Sequence, residues 1–170
     1  FGSDFFGMGT KGEGPVTTEL RTPGEFTQIT NKVSADVEWR TGEAWQVEIS
    51  AQANLIPLIK TEIKNGALII YTDDSYSSKE SIVVKIISPE LKEVHLAESG
   101  NFKTFSPVKT ENFSIHVAGS GTVEIADMDV QNLNCHVAGS GDVNLTGGTA
   151  QLTEAHVAGS GNVQAKAFST

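Results

Sequence analysis

His116-Val-Ala-Gly-Ser-Gly121 returns unchanged at His136–Gly141 and His156–Gly161, a period of 20 residues, and a weaker copy, His95-Leu-Ala-Glu-Ser-Gly100, stands 21 residues before the first. The agreement runs past the hexapeptide. Val123, Val143 and Val163 follow each final glycine by two residues, with Phe102 in the weak copy, and Ile125, Leu145 and Ala165 come two residues later. Apolar residues at every second position mark a strand with one buried face. Phe113, Ile115 and Val117 share one such face, as do Leu133, Cys135 and Val137, while Ser114, His116, Asn134 and His136 take the other. Each unit is expected to be strand, turn, strand, with the apolar set inward. Cys135 occupies the place of Val94, Ile115 and Ala155, which makes it a small buried hydrophobe with no chemistry assigned.

A 20-residue unit holding two short β segments, without apolar residues at helical spacing and rich in Gly, Ser, Asn and Thr, fits one coil of a parallel β-helix. Ankyrin, tetratricopeptide and leucine-rich repeats need an amphipathic helix or a Leu and Asn consensus that these units lack. Calcium-binding nonapeptide rolls need an Asp in every short turn, yet the residue after the final glycine reads Asn101, Thr122, Asp142, Asn162. At the corner, Gly100, Gly121, Gly141 and Gly161 recur in every unit and are expected to adopt positive φ. Gly119, Gly139 and Gly159 are replaced by Glu98 in the weak copy and are expected only to let neighbouring coils approach.

Residues 16–90 are β-rich without an evident repeat. Val33, Ala35, Val37 and Trp39 alternate with polar residues, Thr41-Gly42-Glu43 turns, and Trp45, Val47, Ile49 and Ala51 alternate again, which predicts a hairpin. Asn65-Gly66 before Ala67–Tyr71 predicts a second hairpin. Asp73–Lys79 reads as a polar loop, Ser81–Ser88 as an apolar strand closed by Pro89, and Asn54–Lys60 as room for one helical turn limited by Pro57. Residues 1–15, with five glycines, read as a flexible lead-in. The expected organisation is therefore this lead-in followed by one β domain over 16–170, with a hairpin-rich half at 16–90 and repeat coils at 91–170.

Composition narrows the function. With 170 residues and 38% hydrophobic content, the chain can bury a core without a disulfide framework, which its single cysteine could not supply. Twelve Lys and Arg against 21 Asp and Glu give a net charge of −9, which repels phosphate backbones and anionic lipids. Nucleic acid is excluded as a natural partner, and no apolar run is long enough for a membrane span. Neither a basic start nor a cleavage-site pattern is present, so an exported form would have shed its signal already.

All four histidines, His95, His116, His136 and His156, hold one repeat position, so stacked coils about 4.8 Å apart would line them up in an outward ladder. A straight ladder presents parallel rather than convergent ligands, with no Cys or supporting carboxylate expected at a fixed offset, so no metal is assigned. Ser120, Ser140 and Ser160 sit between glycines, but Gly-Ser-Gly is not the strand-turn-helix elbow of a nucleophilic serine. Glu124, Asp127, Asp129, Asp142 and Glu154 could furnish a carboxylate pair for glycoside hydrolysis, yet outward acids on so acidic a chain read as solvation. No catalytic residue and no cofactor are assigned.

The recurrent Val-Ala-Gly-Ser-Gly-x-Val, after a β-rich half containing Asn54-Leu55-Ile56-Pro57 and Asn65-Gly66-Ala67-Leu68-Ile69-Ile70-Tyr71, resembles the bacterial head GIN domain family, also described as autotransporter adhesin heads. The resemblance spans about residues 20–168. It implies a right-handed parallel β-helix shaped like the pectin lyases but without their catalytic residues, export to the periplasm, cell surface or outside, and adhesion to a surface polysaccharide or protein. Two departures from the family stand out: members often carry further Gly-Ser-Gly units where this sequence stops at Thr170, and no lipoprotein cysteine stands near Phe1 to support membrane anchoring. The alternatives are a structural spacer and a degenerate carbohydrate-active enzyme. A last coil with only Ala165, Ala167 and Phe168 as cover predicts either self-association through its open edge or a longer parent chain, the alternative being Phe168 folded over the end.

Overall fold

The computed structural model describes residues 10–78 and 80–165, with the backbone alone at 168–169. Those residues form eighteen strands and no α-helix. In chain order they are β1 (Thr10–Lys11), β2 (Val16–Arg21), β3 (Gln28–Asn31), β4 (Ala35–Thr41), β5 (Gln46–Gln52), β6 (Lys60–Lys64), β7 (Ala67–Tyr71), β8 (Tyr76–Ser77) and β9 (Ile82–Ser88). The repeats supply β10 (Glu93–Leu96), β11 (Asn101–Thr104), β12 (Val108–Val117), β13 (Thr122–Ile125), β14 (Met128–Gly139), β15 (Asp142–Leu145), β16 (Gly148–Gly159) and β17 (Asn162–Ala165), followed by β18 (Phe168–Ser169).

Two eight-stranded sheets result, ordered β18-β16-β14-β12-β10-β3-β7-β6 and β17-β15-β13-β11-β4-β9-β5-β2. Each repeat gives one strand to each sheet, and every repeat strand pairs parallel with its counterpart in the next unit. The pairing is in register. Val94, Ile115, Cys135 and Ala155 stand side by side, as do Leu96, Val117, Val137 and Val157. The inward side chains of both sheets form one apolar cluster, from Ile70 and Trp39 in the N-terminal half to Val143 and Leu145 in the repeats. Burial follows the strand period of two, so local alternation and global packing agree.

The stack continues into residues where no repeat was expected. Gln28–Asn31 pairs with Glu93–Leu96, and Asp36–Trp39 pairs with Asn101–Thr104, a constant offset of 65 residues. Lys32-Val33-Ser34-Ala35 is thus a corner beside Ala97-Glu98-Ser99-Gly100, and the hydroxyls of Ser34 and Ser99 meet at 2.9 Å. β7 and β9 lie beyond, parallel to β3 and β4, and make one further unit.

Three expectations need correction. The strands flanking Thr41-Gly42-Glu43 are not a hairpin, because β9 lies between them, parallel to β4 and antiparallel to β5. The inward row Ile82, Val84, Ile86 and Ser88 of β9 joins both apolar faces, and the Trp39 indole N–H donates to Ser88 Oγ at 2.8 Å. Within the expected lead-in, Thr10–Lys11 pairs with Tyr76–Ser77 and so places a short strand in the expected polar loop; residues 1–9 and Lys79 lie outside the described residues. The glycine roles are exchanged in the last two units, while Gly119, packed against the Glu98 carbonyl, does not have positive φ. Gly139 and Gly159 have φ of +135° and +118°, whereas Gly100, Gly121, Gly141 and Gly161 do not have positive φ and instead sit against the preceding corner. The Asn65-Gly66 turn does join β6 and β7 as an antiparallel hairpin, with positive φ at both residues, and the helical turn is a 3-10 turn at Ile56–Leu58. The side chain of Phe168, the expected cover, lies outside the described residues.

Candidate functional site

Parallel in-register pairing places like residues of successive units side by side, and the outward face of the first sheet shows the consequence. His95, His116, His136 and His156 stack with ring centroids 4.3, 5.1 and 5.0 Å apart and planes within 18° of parallel. The rings are close to strand spacing because the backbone sets their separation. Burial, followed by the nearby His95, lowers the pKa of His116; Glu93 acts in the opposite sense and His136 lowers it further.

The row two residues upstream differs from unit to unit: Gln28, Glu93, Ser114, Asn134 and Glu154 are neighbours in register. Only the first histidine therefore has a carboxylate with it on the half-buried part of the face. His95 Nε2 lies 2.7 Å from Glu93 Oε2, and because a carboxylate only accepts, the ring N–H is the donor. Glu93, His95 and His116 bring one ligand atom each to within 4.8 Å of one another. The sequence pattern missed Glu93 because only Glu93 and Glu154 among the four units carry a carboxylate at this offset, so it is not a feature of the repeat.

The corner serines Ser99, Ser120, Ser140 and Ser160 are exposed, and Gly100, Gly121 and Gly141 behind them are buried. Among the outward acids, Asp142 Oδ1 accepts from the backbone N–H and the side-chain amide of Asn162, which ties adjacent units together.

A second feature lies where the corner row begins. The β7 to β9 corner runs from Thr72 to Ser81, far longer than the four residues between β10 and β11, and its extra length walls an open groove of about 800 Å³. Lys32, Ser34, Thr72, Asp74, Ser75 and Tyr76 are among its lining residues, and Glu98 closes the side next to the first repeat corner. Thr72 and Asp74 brace the loop, with Thr72 Oγ1 donating to the Asp74 carbonyl at 3.0 Å. Trp39, by contrast, is buried in the core, and the Trp45 indole N–H donates to the Phe26 carbonyl at 3.1 Å, so both tryptophans serve packing.

Stacked parallel units with a polar corner row define a class of repetitive all-β surface, and residues 25–170 match the family described as putative auto-transporter adhesin, head GIN domain. The chain belongs to that family. Its structure is similar to a putative adhesin from Parabacteroides merdae, with a TM-score of 0.70 at 19% identity over 92% of this chain and 98% of that one. A putative lipid binding protein from Parabacteroides distasonis aligns with a TM-score of 0.67 at 21% identity, covering 91% of this chain and 98% of the other. A putative adhesin from the same organism gives 0.67 at 16% identity, with coverage of 92% and 99%. At such identities the likeness concerns the fold. No curated protein matches the chain.

Proposed function

We propose that residues 16–170 form an exported, non-enzymatic adhesion domain, wound as a right-handed parallel β-helix, that binds a surface polysaccharide. The groove at the enlarged corner carries this reading. It is open, lined by hydroxyl, carboxylate and ammonium groups, and continuous through the Ser34 to Ser99 contact with the exposed serine row. Such a lining suits a hydroxyl-rich chain, whose affinity comes from many hydrogen bonds exchanged with water at modest net gain each. Membership of the adhesin-head family supports the same reading, as does a net charge of −9, which disfavours phosphate-rich partners.

A glycan array probed with the purified chain tests it. The expected result is retention on a restricted set of glycans, weakened about tenfold or more by Asp74→Ala with Ser75→Ala while the melting temperature is kept. An array without retention overturns the assignment and leaves the structural spacer as the better account, and retention indifferent to the groove variants overturns the groove as its site.

A further inference from the structure

The first rung of the histidine ladder is chemically unlike the rest. Counting from the N-terminal side, the histidines are accompanied two residues upstream by Glu93, Ser114, Asn134 and Glu154. The Glu93 and His95 side chains are 28% and 39% exposed, enough shelter to hold geometry and enough access to admit an ion. Glu154 and His156, at the other end, are exposed.

We propose that Glu93, His95 and His116 form a binding site for a divalent transition metal of the zinc, copper or nickel group. Two imidazole nitrogens and one carboxylate oxygen suit these ions, whereas calcium and magnesium require oxygen donors throughout. Donors bound to one zinc at about 2.0–2.1 Å stand roughly 3.0–3.4 Å apart. The three atoms already lie within 4.8 Å of one another. Closing the remainder turns the His95 and His116 rings out of their parallel stack and exchanges the Glu93–His95 hydrogen bond for the ion, the ring proton passing to solvent, while the paired strands stay in place.

Apart from the His95 ring N–H, whose proton an incoming ion displaces, nothing around the carboxylate competes with a cation. Glu93 is flanked in register by Gln28 and Ser114, neither of them charged, and Lys92 has its ammonium 3.9 Å from Glu90 instead. On the far side of His95 stands Thr30, so the nearest strand brings no competing cation. Three protein donors leave coordination positions open on an accessible sheet face, where water or an oxygen of another molecule can enter. Cys135 offers no rival thiolate, since it is on the inward side and burial pushes its thiol up to about 12.

Calorimetric titration of the chelator-treated chain with Zn²⁺ tests the site, with Co²⁺ added in parallel to read nitrogen and oxygen coordination from its visible spectrum. One equivalent is expected to bind. Glu93→Gln and His95→Ala should each weaken it about 10- to 100-fold, the scale seen when groups supporting a metal are removed. His156→Ala should leave it unchanged, and circular dichroism with a thermal melt confirms that each variant is folded. If Zn²⁺ fails to bind the unmodified chain, the site does not exist. If His156→Ala weakens binding as much as His95→Ala, or Glu93→Gln has no effect, the ions are held by the ladder at large and the assignment is wrong.

Discussion

The carbonyl oxygen of Gly121 occupies the space that a Cβ on Gly141 would need, and Val117 Cγ1 lies 2.5 Å from the same point. Gly139, two residues earlier, has φ of +135° and would bring its Cβ to 2.7 Å from the Gly119 carbonyl. One glycine is required by crowding and the other by backbone conformation as well. Gly141→Ala and Gly139→Ala are therefore expected to destabilise comparably, by about 1–3 kcal/mol each. Gly14, also at positive φ but with nothing within 4 Å, should lose only about 1 kcal/mol on the same change. Urea denaturation midpoints of the three variants check the ranking, and a Gly141→Ala chain as stable as the parent would contradict the crowding.

Asn31 sits in the inward row beside Leu96 and is 1% exposed. Its amide donates to the Ala35 carbonyl at 3.1 Å, and its oxygen accepts from the Val33 N–H at 3.1 Å. It thereby satisfies the backbone of a corner that has no Gly-Ser-Gly. Asn31→Leu would match its neighbour in apolar character yet strand both buried groups, at about 1–3 kcal/mol each. The expected loss is at least 2 kcal/mol in chemical denaturation; a stabilised Leu variant would mean that burial outweighs the hydrogen bonds here.

These two corners show how far the pattern in the chain reached. Where units follow one another every 20 residues, strand limits, inward faces and register all follow from alternation, down to Cys135 standing between Ile115 and Ala155. The unit at Gln28–Thr41 was hidden because it is separated by 65 residues from its partner and shares with it little beyond Ser34 and Ser99. The chain there extends the stack on the far side of β3 and β4 through β5 to β9 before β10 takes the near side, and no local periodicity records such an order. The hairpin error has the same origin, since turn residues at Thr41-Gly42 do not reveal that a distant strand takes the place between. The glycine error was of another kind: recurrence showed that both glycines matter but not which constraint each one meets. Glu93 escaped because its offset carries Ser114 and Asn134 in the next two units, so no repeating pattern marks it.

Cys135 is fully buried, and desolvation alone raises its thiol to about 12. Because the thiolate is the reactive form, the folded chain should resist alkylation by iodoacetamide at pH 8 while the denatured chain reacts readily. The sign for stability follows: a group whose thiolate the fold disfavours weakens the fold as pH rises above the unfolded value near 8.5. Mass spectrometry after timed labelling with and without urea checks this, and rapid modification under native conditions would show that the interior opens near Cys135.

Val117, Val137 and Val157 form one inward row, but their exposures are 1%, 2% and 45%. The first two have a neighbouring unit on each side. β16 pairs on its outer side, among the described residues, only through Gly148 and Thr149. Removing two methyl groups from a fully packed site costs the lost transfer energy and a residual cavity, about 2 kcal/mol. At Val157 much of that surface is already in water, so Val157→Ala should cost less than about 1 kcal/mol. The same exposure leaves an apolar row along β16 and, among the described residues, no paired strand beyond Thr149 on its outer side, the conditions under which a strand edge recruits another copy. Light scattering of this chain is expected to show association that grows with concentration and is reduced by Val157→Lys, which sets a charge in the row. A monomer at every concentration, together with equal losses for Val137→Ala and Val157→Ala, would mean that the last unit is covered from within the chain.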